Sequence, residues 1–164
     1  MPFEPPERFN MAHWFLDARV EEGLGSRPAI LTADRTLTYL DVQREANRVA
    51  NALGAAGLSI EQRTLIVMPD APEFAAAFFG TLKAGGVVAM ANPLLPVEDY
   101  DYLLEYTRAR VVLAHASAMD RLEPALTRAR WATAAFVAGG SGDARVAGRV
   151  RVSPWSESVS KASD

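Results

Sequence analysis

Apolar residues follow two rhythms along this chain, and the two alternate. Residues 65–68, 87–91, 111–114 and 133–137 are short, almost continuous apolar runs. That pattern belongs to strands covered on both faces, as in a parallel sheet. Between the runs, apolar residues recur three and four positions apart, which predicts helices with one buried stripe. Val42, Ala46, Val49, Ala50 and Leu53 form such a stripe, as do Phe74, Phe78 and Leu82, and then Leu122, Ala125 and Leu126. Gly57, Gly85-Gly86, Asn92-Pro93 and the Gly139-Gly140-Ser141-Gly142 stretch punctuate the segments.

Local signals place several starts. Thr38 with Asp41 three residues later predicts a capping box, and Ser117 with Asp120 predicts a second. Pro72 suits the first turn of a helix, with Asp70 ahead of it as an N-cap rather than a ligand. Pro96 opens a helix whose first turns carry Glu98, Asp99 and Asp101. Upstream, residues 1–10 read as an extended arm. Met11, Trp14, Phe15 and Ala18 form a helical stripe, and residues 29–32 and 36–39 form a hairpin around Ala33-Asp34-Arg35. Residues 150–152 predict a last strand and 153–159 a short last helix. The expected fold class is α/β, a largely parallel sheet flanked by helices. Such sheets bind ligands at the carboxyl ends of their strands. Pro69-Asp70, Asn92-Pro93 and Ala114-His115 are thereby expected on one rim.

At 164 residues and 49% hydrophobic, the chain fits one domain or one large subdomain with its own core. A net charge of -3 disfavours nucleic acid or an anionic membrane as partner. With 0 cysteines, disulfides and thiolate metal sites are excluded. His13 and His115 are far apart in sequence, and no metal site is expected. The first ten residues carry acids and prolines where a signal peptide needs an apolar core. The helix-like apolar run at 74–79 is too short to span a bilayer. The expectation is a soluble, cytoplasmic protein.

Candidate chemistry is sparse. His115 follows an apolar run with no nucleophile or carboxylate motif beside it, so a surface or capping role is favoured over catalysis. His13 lies in an amphipathic helix without evident chemistry. The stretch at 139–142 lacks the Gly-Lys-Ser/Thr ending of a phosphate-gripping loop and runs into Asp143-Ala144-Arg145 instead. Gly85 and Gly86 read as fold residues, and residues 92–96 as a turn made rigid by Pro93 and Pro96. Trp14, Phe15, Phe74, Phe78 and Phe79 read as core rather than as a substrate pocket.

Five segments carry a family likeness: FNMAHWFLDARVEEG, LTYLDVQREANRVANAL, PEFAAAFFGTLKAGGVVAMANPLL, YLLEYTRARVVLA and the tail VSPWSESVSKASD. Together they resemble the N-terminal part of AMP-forming, adenylate-forming aryl-CoA ligases of the benzoate and anthranilate type. The resemblance implies a parent enzyme that joins an aromatic carboxylate to ATP as an acyl-adenylate. It then passes the acyl group to coenzyme A, with ATP, Mg²⁺ and coenzyme A as its cofactors. It implies residues 1–164 as an N-terminal subdomain, with residues 153–164 starting a linker. The nucleotide-binding core and C-terminal lid are not among these residues. No catalytic residue is expected here, and the chain alone is expected to be inactive. Lys83, just before Gly85-Gly86, is the one candidate cofactor-binding residue, as a contact to a phosphate of coenzyme A. The rest of the ligase and an aromatic acid are the implied partners. Two alternatives stay open. One is a stand-alone binding or oligomerisation module, expected to self-associate as a homo-oligomer; the other is a piece of another adenylating enzyme.

Overall fold

The computed structural model describes residues 4, 6, 7, 9–140 and 142–164. Half of the expected arm at 1–10, namely residues 1–3, 5 and 8, and Ser141 of the glycine stretch lie outside the described residues. Among the described residues, eight strands and five α-helices follow one another, preceded by a helical segment with π-type turns at His13–Asp17 and Val20–Leu24. Strands β1 (Pro28–Leu31) and β2 (Thr36–Thr38) pair antiparallel as the predicted hairpin. The other six form one sheet in the order β4-β3-β5-β6-β8-β7. Its members are β3 (Arg63–Val67), β4 (Val87–Met90), β5 (Val111–His115), β6 (Ala134–Ala138), β7 (Arg145–Ala147) and β8 (Val150–Pro154). All neighbours are parallel except β7, which runs antiparallel to β8. β7 carries no apolar run of its own; a reversal at Gly148 lays it against β8.

The alternation of side chains along each strand divides the core in two. Leu65, Val67, Val112, Ala114, Ala135 and Val152 face α3 (Val97–Thr107) and α4 (Met119–Arg128), among them Tyr100, Leu104, Leu122 and Leu126. Ile66, Val111, Leu113, Ala134 and Phe136 face the other way, toward α1 (Tyr39–Ala55), α2 (Pro72–Lys83) and α5 (Trp155–Ser158). Both faces are covered, which is why the strands read as unbroken apolar runs.

The predicted box at Thr38 forms. The Asp41 amide donates to Thr38 Oγ1 at 3.2 Å, and the Thr38 amide donates to Asp41 Oδ2 at 2.9 Å. The second box does not. The helix there starts one residue after a short 3₁₀ turn, and Ser117 lies inside that turn. The His115 ring caps it instead, Nδ1 accepting from the Ser117 amide at 3.2 Å. Asp70 caps nothing: α2 begins at Pro72 with Ala71 as its N-cap, without a side-chain bond.

Three further expectations are corrected. Trp14 and Phe15 are 41% and 56% exposed, and Ala12 and Leu16 are buried in their place. The π-type turns rotate the stripe relative to an α-helix, so its 3.6-residue period misassigns the inner face. Val87–Met90 is not a buried strand. It lies at the sheet's edge, with Val87 and Met90 on the surface. Residues 153–164 are packed rather than a free linker. Trp155 and Val159 are buried, Trp155 Nε1 donates to Glu45 at 2.8 Å, and Asn51 Nδ2 donates to the Ser163 carbonyl at 2.7 Å.

Candidate functional site

The parallel register aligns the carboxyl ends of β3, β4 and β5, pairing Ile66 with Met90 and Val67 with Ala114. Pro69-Asp70, Asn92-Pro93 and His115 therefore follow one rim, as expected, and Gly139-Gly140 and Pro154 continue it beyond β6 and at the end of β8.

Two of the rim turns, those at Asn92 and His115, are fastened by side-chain hydrogen bonds. The Asn92 side-chain oxygen accepts from the Leu94 amide at 2.9 Å, making an Asx turn. The Asn92 carbonyl accepts from Tyr100 Oη, also at 2.9 Å. Tyr100 is fully buried in α3, and burial raises its phenol pKa above the ordinary value, keeping the hydroxyl a donor. His115 Nδ1 also lies 2.8 Å from Ser117 Oγ. Because Nδ1 accepts the Ser117 amide, the neutral ring carries its proton on Nε2. Gly139 passes directly under that nitrogen with φ +71°, and a Cβ there would lie 2.0 Å from Nε2. Only glycine fits both the backbone and the contact.

Next to this turn is a small cavity of about 120 Å³ lined by Ala116, Met119, Gly140, Ser153 and Arg145. Arg145 is engaged there: its Nε and Nη2 donate to the two Glu123 oxygens at 2.8 and 2.5 Å. That fork holds the Glu123 carboxyl below its usual pKa. The rim thus offers backbone groups, one imidazole and an arginine already paired with a carboxylate. Among the described residues there is no cluster of three metal-ligating side chains. Nor does the chain carry a Gly-Lys-Ser/Thr loop. These rim residues do not fit Mg²⁺ or a nucleoside triphosphate on their own.

Lys83 is not on this rim. Helix α2 runs back from the carboxyl ends, and its last residue sits at the opposite end of the sheet. The ammonium donates to Asp17 Oδ1 at 2.5 Å and to Asn47 Oδ1 at 2.7 Å, with 15% of the side chain exposed. Gln43 Nε2 donates to the same Asp17 oxygen at 2.8 Å. The cluster ties the N-terminal helix to α1 and α2. Sequence reading missed Asp17, Gln43 and Asn47 because they come from separate elements with no shared spacing. His13 stands beside the cluster, 3.9 Å from Asp17, on the surface. Phe74, Phe78 and Phe79 are half-buried against the α1 and α2 side of the core.

A mostly parallel sheet with helices on both faces and its turns gathered at the carboxyl ends defines the open-sheet α/β class. The family described as AMP-binding enzyme matches residues 16–150, and the chain belongs to it. It is 34% identical over 113 residues to a 3-hydroxybenzoate–CoA/4-hydroxybenzoate–CoA ligase of Thauera aromatica, covering 69% of this chain and 22% of that protein. A benzoate CoA ligase from Burkholderia xenovorans LB400 superposes with a TM-score of 0.79 at 29% identity, over 95% of this chain and 29% of its own. An anthranilate CoA ligase in complex with anthranoyl-AMP superposes with a TM-score of 0.87 at 24% identity, over 96% of this chain and 29% of its own, a likeness of fold. The chain thus spans less than a third of each of these proteins.

Proposed function

We propose that this chain is the N-terminal subdomain of an ATP-dependent aryl-CoA ligase that activates a benzoate- or anthranilate-like acid and transfers it to coenzyme A. The observation that carries the reading is the 34% identity to a hydroxybenzoate ligase over 69% of the chain. In this reading the 164 residues supply scaffold. Tyr100, Asn92, His115 and Gly139 shape the rim turns, and the rest of the ligase supplies the adenylating groups, Mg²⁺ binding and the lid. The work is cytoplasmic, where ATP and coenzyme A are available. Among the described residues no helix is long and apolar enough to cross a membrane.

The coenzyme A contact of Lys83 belongs to the same proposal. Two of its three ammonium donors are taken by Asp17 and Asn47. A phosphate would use the third and share the charge with Asp17. In the ligase that contains this chain, Lys83→Gln should raise KM for coenzyme A and leave KM for ATP unchanged. An unchanged KM for coenzyme A removes the assignment.

Grafting tests the whole reading. The 164 residues replace the matching segment of the Burkholderia xenovorans benzoate ligase, and benzoate-dependent ATP–pyrophosphate exchange is measured. Exchange by the folded hybrid is expected. A hybrid that melts cooperatively and makes no acyl-adenylate with any aromatic acid would count against it.

A further inference from the structure

Three arginines at the amino ends of the strands line one groove. Arg110 precedes β5, Arg149 precedes β8, and Arg151 is the second residue of β8. Sheet hydrogen bonds set Arg110, Thr133 and Arg151 in a row: the Thr133 amide donates to the Arg110 carbonyl and the Arg151 amide to the Thr133 carbonyl, both at 3.0 Å. All three arginines line a groove of about 560 Å³ between α1 and the β6–β8 part of the sheet. Its other walls include the hydroxyl-bearing Thr133 and Ser153 and the apolar Phe136, with small alanines of α1.

Among the described residues no aspartate or glutamate lines the groove. Among the described residues no carboxylate lies within ion-pair distance of Arg110, Arg149 or Arg151. Arg35, Arg128 and Arg145 each have one. Arg149 Nη1 donates to the Arg130 carbonyl at 3.0 Å. Arg110 Nε is fully buried and has no hydrogen-bond partner among the described residues. A buried donor without an acceptor loses its hydration and gains nothing in return. Guanidinium forks match phosphate oxygens in pairs, and apolar walls strengthen that attraction.

We propose that this groove is a binding site for a multiply charged oxyanion of the phosphate or phosphoanhydride class, with Arg110, Arg151 and Arg149 as its cationic wall. Its cationic wall stands at the opposite ends of the strands from the rim turns, and it does not depend on the ligase reading.

Inorganic pyrophosphate and inorganic phosphate are the probes, titrated into the ¹⁵N-labelled chain in low-salt buffer. Saturable shifts of the Arg110, Thr133, Arg151 and Ser153 amides are expected. Arg151→Glu, at an exposed position, should weaken pyrophosphate by roughly tenfold or more. Lys161→Glu makes the same change in net charge outside the groove and should leave the affinity unchanged. Thermal melts establish that both variants are folded. Tighter binding of pyrophosphate supports a phosphoanhydride site, and equal binding of the two supports a single-phosphate site. Three results overturn the proposal: no saturation at millimolar pyrophosphate, equal weakening by both variants, or shifts confined to other residues. The first is also the outcome expected if an acidic protein segment is what covers the groove.

Discussion

The two helix layers of this molecule cover the same sheet by opposite means. On one face α3 and α4 pack through large side chains, with Tyr100, Leu104, Leu122 and Leu126 all buried. On the other face α1 and α2 meet through small ones. Ala46 and Val49 of α1 lie against Gly80, where a Cβ would sit 2.5 Å from Val49 Cβ and 2.8 Å from the Ala46 carbonyl oxygen. The first layer is held by volume and the second by closeness. Losing volume damages the first, and adding it damages the second.

The largest expected effect breaks the first layer. Leu122→Ala should cost about 3 kcal/mol in a chemical denaturation series, since its buried methyl groups leave a cavity the layer cannot fill. A cost below about 1 kcal/mol would mean α4 relaxes into the space.

The next sharpens the contrast with a pair of glycines. Gly80→Ala should destabilise by about 1–2 kcal/mol, because the clash with Val49 and Ala46 outweighs the better helix propensity. Gly54→Ala, inside α1 with nothing within 4 Å, should stabilise by about 0.5–1 kcal/mol. Equal effects at the two sites would show that the α1–α2 contact is looser than described.

The smaller effect concerns how α1 begins. Thr38→Ala removes the hydroxyl of the capping box and should cost about 1 kcal/mol at neutral pH. Hydrogen bonds from the Thr38 hydroxyl and then its amide hold the Asp41 carboxyl below its ordinary pKa. A depressed folded-state pKa stabilises above the unfolded carboxylate value of about 3.9, and that stabilisation is lost as pH falls through the folded value. The difference between wild type and Thr38→Ala should therefore narrow in acid. A gap constant from pH 7 down to pH 2 would show that the Asp41 charge plays no part.

What the sequence disclosed follows the same division. Signals contained in one segment were readable: the apolar runs of β3, β5 and β6, the Thr38–Asp41 box, Pro72 at a first turn, and the rim after β3, β4 and β5. What escaped depends on a neighbour from elsewhere. Gly80 looks like a weak point inside a helix until Val49 is placed against it. Ser117 and Asp120 have the spacing of a cap, but the His115 ring reaches the free amide first. The edge position of β4 follows from sheet order, which no local pattern encodes. Lys83 shows the same limit at the candidate site. Its place before two glycines was visible, and its partners Asp17 and Asn47 were not.

The central claim is that these residues form the scaffold of an adenylating aryl-CoA ligase and do not carry its chemistry. Aromatic-acid-dependent ATP–pyrophosphate exchange tests it most directly, measured on the 164-residue chain alone and again after assembly with the remainder of its ligase. The account predicts no exchange from the chain alone and benzoate- or anthranilate-dependent exchange from the assembly. Exchange by the chain alone would contradict it.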